Sequence, residues 1–181
     1  MESKAKLLGH PIHPMLIVFP VGLLVTAVIF DVVRMLTGDV AFATVAFWCI
    51  AAGVIGGLVA AIFGLIDWLN IPAGTRAKTI GMWHGLGNVV VLALFAVSWL
   101  LRRGDPSLVP DTLAFVLALA AAVLSVVTSW LGGEMVSRLG VGVDRGAHLD
   151  APSSLSGRPA DSGRQRESGS AQPLREREAT G

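Results

Sequence analysis

His10 and His13 stand in one His-Pro-Ile-His-Pro segment, and Asp67, His84 and Glu134 follow inside or at the edges of long apolar runs. Imidazoles and carboxylates together make good ligands for zinc, iron, manganese or copper. Proline disfavours helix for the residue before it, so both histidines of the segment are expected in extended or turn geometry. Such a stiff segment can fold like a lid over what lies beneath it. Haem is the other cofactor to weigh. Histidine on a membrane helix is a usual axial ligand, and His84 can pair with His13. No H-E-x-x-H, C-x-x-C or Glu-x-x-His pattern is present. The chain has no strand expected before a glycine-rich loop, and Ser125, Ser129 and Cys49 have no histidine at their depth to activate them. Nucleophilic and phosphate-binding chemistry therefore has no support, and no catalytic residue is assigned.

These residues are carried by four apolar runs, over residues 14–36, 41–69, 79–101 and 112–136. Each is near or above the roughly 20 residues a helix needs to cross a bilayer. The chain of 181 residues is 53% hydrophobic and only 15% charged, and most of its charge lies outside the runs. Soluble domains carry about 25% charged residues. The runs are too uniformly apolar for barrel strands, which alternate. The expected fold is an all-α integral membrane protein, an antiparallel four-helix transmembrane bundle. Thr37-Gly38-Asp39 turns the chain between the first two helices, and Asp111 caps the fourth. The first run is too long for the h-region of a signal peptide, and no A-x-A-like site follows it, so it reads as a retained helix.

From Asp144 onward the composition changes to Arg, Asp, Glu, Ser, Pro and Gly. The expectation is a transmembrane domain over residues 1–143 and a disordered cytoplasmic tail over 144–181. The net charge of +1 and the lack of a basic stripe exclude a nucleic-acid partner. The one cysteine, Cys49, reads as a small buried hydrophobe. Trp68, Trp83 and Trp130 near one end and Trp99 near the other read as interfacial belts.

Antiparallel threading puts His10, His13, Asp67, His84 and Glu134 in one layer at one end of the bundle. Asp31 alone belongs to the opposite half. A salt bridge from Asp67 or Glu134 to Arg76 or Arg138 competes with metal ligation. Small residues at Gly53, Gly57, Ala60 or Ala61, and Gly64 share one face of the second helix. Such stripes let helices approach closely in lipid. They serve packing within the bundle or a homo-oligomer.

The motifs G-H-P-I-H-P (9–14), G-L-I-D-W (64–68), W-L-G-G-E (130–134) and R-L-G-V-G-V (138–143) resemble a family of small bacterial membrane proteins. It is catalogued as domain-of-unknown-function family 2231. The resemblance covers residues 8–143 and implies a four-helix integral membrane domain of unknown activity. Association of some relatives with Rieske-type domains implies redox or metal chemistry. The family often shows a histidine where this chain has Leu139.

Two readings of function stand side by side. One is a bundle that binds a transition metal (zinc or iron) or haem b, with a redox or electron-transfer role and a membrane redox partner. His13 and His84 are its cofactor ligands, and His10, His13, Asp67, His84 and Glu134 its metal set. The other is a cofactor-free structural or partner-binding membrane subunit. Lys4, Lys6, Arg76, Lys78, Arg138 and Arg145 flank one side, against Arg34, Arg102 and Arg103 on the other. The positive-inside rule then places both termini in the cytoplasm, in the inner membrane of a bacterial cell. A reporter fused after Val143 should read as cytoplasmic, and one inserted in the 102–111 loop as external. A periplasmic signal from the C-terminal fusion would refute this topology.

Overall fold

The structure is a computed structural model, which describes residues 1–162. The chain opens with a short hairpin, in which β1 (Lys6–Leu7) pairs antiparallel with β2 (His10–Pro11). These strands correct the expectation of an entirely strandless chain. A left-handed Leu8-Gly9 turn closes the hairpin, with φ of 50° and 86°. There follow α1 (Ile12–Leu16), α2 (Val18–Thr37), α3 (Ala41–Leu69), α4 (Arg76–Arg102) and α5 (Thr112–Ser137).

The segment from Ile12 through Thr37 is long and apolar enough to cross a membrane, and so are α3, α4 and α5. The four-helix transmembrane bundle is therefore as expected. Its helix ends follow from local chemistry. Gly38 takes a left-handed φ of 76°, and its N–H closes onto the Arg34 carbonyl. Asp111 accepts the Ala114 N–H at 2.7 Å, and Thr75 caps α4 by accepting the Lys78 N–H at 3.2 Å. His13 departs from the extended geometry expected of a pre-proline residue. It lies in the first turn of α1, where the missing N–H of Pro14 has no helical partner to lose.

Each long helix packs on its neighbours in sequence, and α2 also meets α5, so the four close into a ring. The centre is apolar and small, with Leu24, Ala27, Ile50, Val91, Phe95, Ala118 and Ala121 all buried. The glycine stripe of α3 is used inside the bundle. A Cβ on Gly53 would sit 2.6 Å from Leu24, and one on Gly57 2.6 Å from Leu92. Large side chains such as Trp48, Ile55, Trp83 and Trp130 point outward, where lipid is the solvent. Residues 144–162 leave the bundle in turns, with a short 3-10 turn at Ser154–Ser156. Residues 163–181, the rest of the expected tail, lie outside the described residues.

At the end of the bundle away from the N-terminus, Asp31 of α2 and Arg102 of α4 form a bidentate ion pair. Arg102 Nη1–H donates to Oδ1 at 2.7 Å and Nη2–H to Oδ2 at 2.6 Å. Both side chains are fully buried. Ser98, one turn back along α4, stands 3.4 Å from Nε and donates its hydroxyl to the Ala114 carbonyl at 2.7 Å. Arg102 is thus a buried bundle residue, where the sequence reading put it in a charged loop.

Removing one partner strands a charge away from water, so Arg102→Ala should destabilise the bundle by about 3–5 kcal/mol. The double change Asp31→Leu with Arg102→Leu should recover most of that loss. Thermal unfolding in mild detergent checks both, and a double variant no better than Arg102→Ala would contradict the assignment.

Candidate functional site

His13 and His84 meet inside the bundle at the end that holds the N-terminus. Their ring centres are 6.3 Å apart and their planes stand at 87°. Each ring is fixed in the same way. Nδ1 of His13 lies 2.8 Å from the Ala60 carbonyl of α3, and Nδ1 of His84 lies 2.8 Å from the Thr128 carbonyl of α5. A carbonyl oxygen only accepts, so the proton shared with it sits on Nδ1 in both rings and Nε2 is the unprotonated nitrogen of the neutral imidazole.

Glycine makes this docking sterically feasible. Gly64 and Gly132 stand one helical turn beyond the two accepting carbonyls. A Cβ on Gly64 would come within 2.9 Å of the His13 ring, and one on Gly132 within 3.1 Å of the His84 ring. Asn88, one turn after His84, donates to its backbone carbonyl at 2.8 Å and lies 3.4 Å from its Nε2. Thr128 completes this shell by donating its hydroxyl to Asn88 Oδ1 at 3.1 Å.

The other sequence-derived candidates go elsewhere. Asp67 accepts the Ser3 hydroxyl at 2.8 and 2.7 Å, the Lys4 N–H at 2.8 Å and the Ala5 N–H at 3.4 Å. Its carboxylate is occupied in fastening the N-terminal segment to the end of α3. Glu134 accepts from Arg76 at 2.7 Å, the salt bridge weighed against ligation. His10 is exposed, and its Nε2 stands 3.3 Å from the Ser154 hydroxyl. So the structure brings His13 and His84 together and leaves His10, Asp67 and Glu134 apart from them. Among the described residues no three His, Cys, Asp or Glu side chains converge closely enough to hold one metal ion.

The sequence reading missed Arg102, Ser98 and Thr128. The signal for the first two was the spacing of four from Ser98 to Arg102, which carries the third apolar run's buried face one turn further. Thr128 was legible only as a polar residue in a run, because its backbone carbonyl does the docking.

The N-terminal segment is held by charge as well. Lys6 binds both Glu2 and Asp144, and Glu2 also accepts the Arg145 N–H at 3.3 Å. The hydrogen bond to Asp144 pushes the Lys6 ammonium above its ordinary value, and the hydrogen bond from Lys6 holds the Glu2 carboxyl below its own.

Fold and polar interior define a four-helix integral membrane protein with two polar layers, a half-buried histidine pair in one half and a fully buried ion pair in the other. The chain belongs to the family described as "Predicted membrane protein (DUF2231)", whose model matches residues 9–145. No curated protein and no solved structure matches it.

The charge cluster makes the N-terminal segment sensitive to pH in both directions. Glu2, with its lowered pKa, contributes above the unfolded value of about 4.3 and is lost as pH falls through the folded value. Lys6, with its raised pKa, contributes below about 10.4 and is lost as pH rises through the folded value. Protection factors for amide exchange of residues 1–11, corrected for the intrinsic pH dependence of exchange, should be highest between these limits and fall beyond either. A flat profile would show that the cluster does not hold the segment.

Proposed function

We propose that the bundle is a haem-binding module of the bacterial inner membrane, with His13 and His84 as the two axial ligands and electron transfer as its role. The observation that carries this reading is the pair of imidazoles, each with Nδ1–H held on a backbone carbonyl. Ligating histidines ordinarily donate their other ring N–H in this way, which sets the tautomer and the ring direction. With their ring centres 6.3 Å apart, His13 and His84 stand near enough that the two together would hold one haem iron.

The ligand count favours haem over a bare ion. Zinc takes three or four ligands from protein, whereas haem iron asks the protein only for its axial positions. Two histidines suit the second demand, with Asn88, 3.4 Å from the His84 Nε2, as the group a bound iron would displace. Bound there, haem would supply one-electron redox chemistry, and a membrane redox partner would be needed on either side of it. In this reading Asp67 and Glu134 secure the bundle end, and His10 ties the following segment down.

The flanking charges support an orientation with both termini in the cytoplasm. Arg102 lies inside the bundle against Asp31, which leaves Arg34 and Arg103 as the free cations among the three residues counted on the opposite side. The competing reading, a cofactor-free partner-binding subunit, leans on the glycine stripe, but Gly53 and Gly57 already have partners in Leu24 and Leu92.

Protein purified in gentle detergent from haem-replete cells should show a Soret band, and either His13→Ala or His84→Ala should abolish the six-coordinate spectrum. A colourless preparation containing iron or zinc would favour a non-haem site. Protein free of haem and metal, in which the two substitutions have small and additive effects on melting, would overturn the proposal.

A further inference from the structure

The two halves of the bundle obey one plan. Asp31 and Arg102 are 71 positions apart, and so are His13 and His84. The same shift carries the other buried positions of α2 between Pro20 and Asp31 onto those of α4, with Val28 as the exception: Pro20 onto Val91, Leu24 onto Phe95, Ala27 onto Ser98. A shift of 68 positions does the same for the second helices. Ala46, Ile50, Gly53 and Ala60 of α3 fall on Ala114, Ala118, Ala121 and Thr128, which are all the buried residues of α5, while Ala43 and Phe47 are the exceptions, falling on the exposed Asp111 and the half-buried Phe115.

The contacts repeat as well. Ala60 and Thr128 are the two carbonyls that receive the histidines, each at 2.8 Å. Gly64 and Gly132, related by the same 68 positions, are the two glycines against the rings. A trace survives in the residues themselves, as T-V-A-F at 44–47 and T-L-A-F at 112–115. Each polar layer therefore consists of one position met by its own counterpart across the bundle, histidine with histidine and aspartate with arginine. Positions that meet their own counterparts lie on a two-fold axis.

We propose that this chain is a fused pair of equivalent helical hairpins, α2–α3 and α4–α5, whose ligand site lies on the pseudo-two-fold axis. Gly64 and Gly132 are its matched positioning residues. This rests on the two-histidine reading for what binds there, and names the ligand class as one with two equivalent faces, such as a planar tetrapyrrole. Each glycine opens the carbonyl one turn before it to an incoming Nδ1–H. That contact leaves Nε2 of each ring as the unprotonated nitrogen, with Asn88 Nδ2 3.4 Å from that of His84. Asp31 and Arg102 mark the other end of the axis. Identical charges there would repel, so the two halves carry opposite ones.

Equivalence predicts that the ion pair can be exchanged between the halves. Asp31→Arg or Arg102→Asp alone should lose nearly all folded protein. The exchanged pair, Asp31→Arg with Arg102→Asp, together with Ala27→Ser and Ser98→Ala, should restore melting to within a few degrees of the parent. The hydroxyl introduced by Ala27→Ser would then find the Ala46 carbonyl, the counterpart of Ala114. An exchanged protein no better than the single changes overturns the equivalence.

Nitrogen-15 spectra of histidine-labelled full-length protein supply a second measurement, which needs no bound haem. Gly64→Ala should disturb the Nδ1–H tautomer of His13 alone, Gly132→Ala that of His84 alone, and Gly85→Ala, whose Cβ meets nothing within 4 Å, neither. If only one of the two glycine changes disturbs its ring, the matched roles are refuted. Absence of a Soret band with both results positive would sink the haem reading and leave the duplicated plan standing.

Discussion

The Asp31–Arg102 ion pair is the constraint on which the opposite half of the bundle depends. A single charge at that depth is expensive in hydrocarbon, and a bidentate pair with both side chains fully buried removes the need for water. The pair joins α2 to α4, the first helices of the two hairpins. It fixes their relative height and rotation at once, because two parallel N–H···O bonds tolerate little slippage. Ser98 extends that fixation to α5 through the Ala114 carbonyl. With this end pinned, the small buried residues between the helices can pack closely.

The histidine pair does comparable work at the other end by a different route. Helix carbonyls are already engaged within their own helix, yet each can accept a second hydrogen bond if the approach is clear. Gly64 and Gly132 clear it. A glycine inside a helix costs about 1 kcal/mol relative to alanine, which the ring packing and the added hydrogen bond offset. The outcome is two imidazoles with defined tautomers in a mostly apolar interior. The N-terminal segment belongs to the same system. Asp67 gathers the Ser3 hydroxyl and two backbone N–H groups, and the Ile12 N–H returns to the Ala5 carbonyl at 2.9 Å. His13 follows directly, so the anchoring of residues 3–5 also sets where that ring enters the bundle.

The sequence by itself determined the four membrane-spanning helices, their antiparallel order, the Gly38 turn, the Asp111 cap and the family. Those features rest on local rules of length, apolarity and capping, which residues near in sequence decide. It also offered His13 with His84 as one possible ligand pair, and Arg76 or Arg138 as salt-bridge partners for Asp67 or Glu134, without choosing among them. Tertiary structure alone decided which polar residues meet. Depth along a helix can be counted from the sequence, but rotation about its axis is set by packing against the neighbours. For that reason five residues in one layer separated into an imidazole pair, an N-terminal clasp, a salt bridge and a surface histidine. For the same reason Asp31 found Arg102. The duplicated plan was hidden because a transmembrane core asks only for small or apolar side chains at each buried position. Leucine can replace phenylalanine, or alanine serine, without changing the fold, so the repeat persists in burial and contact long after most residue identities have gone.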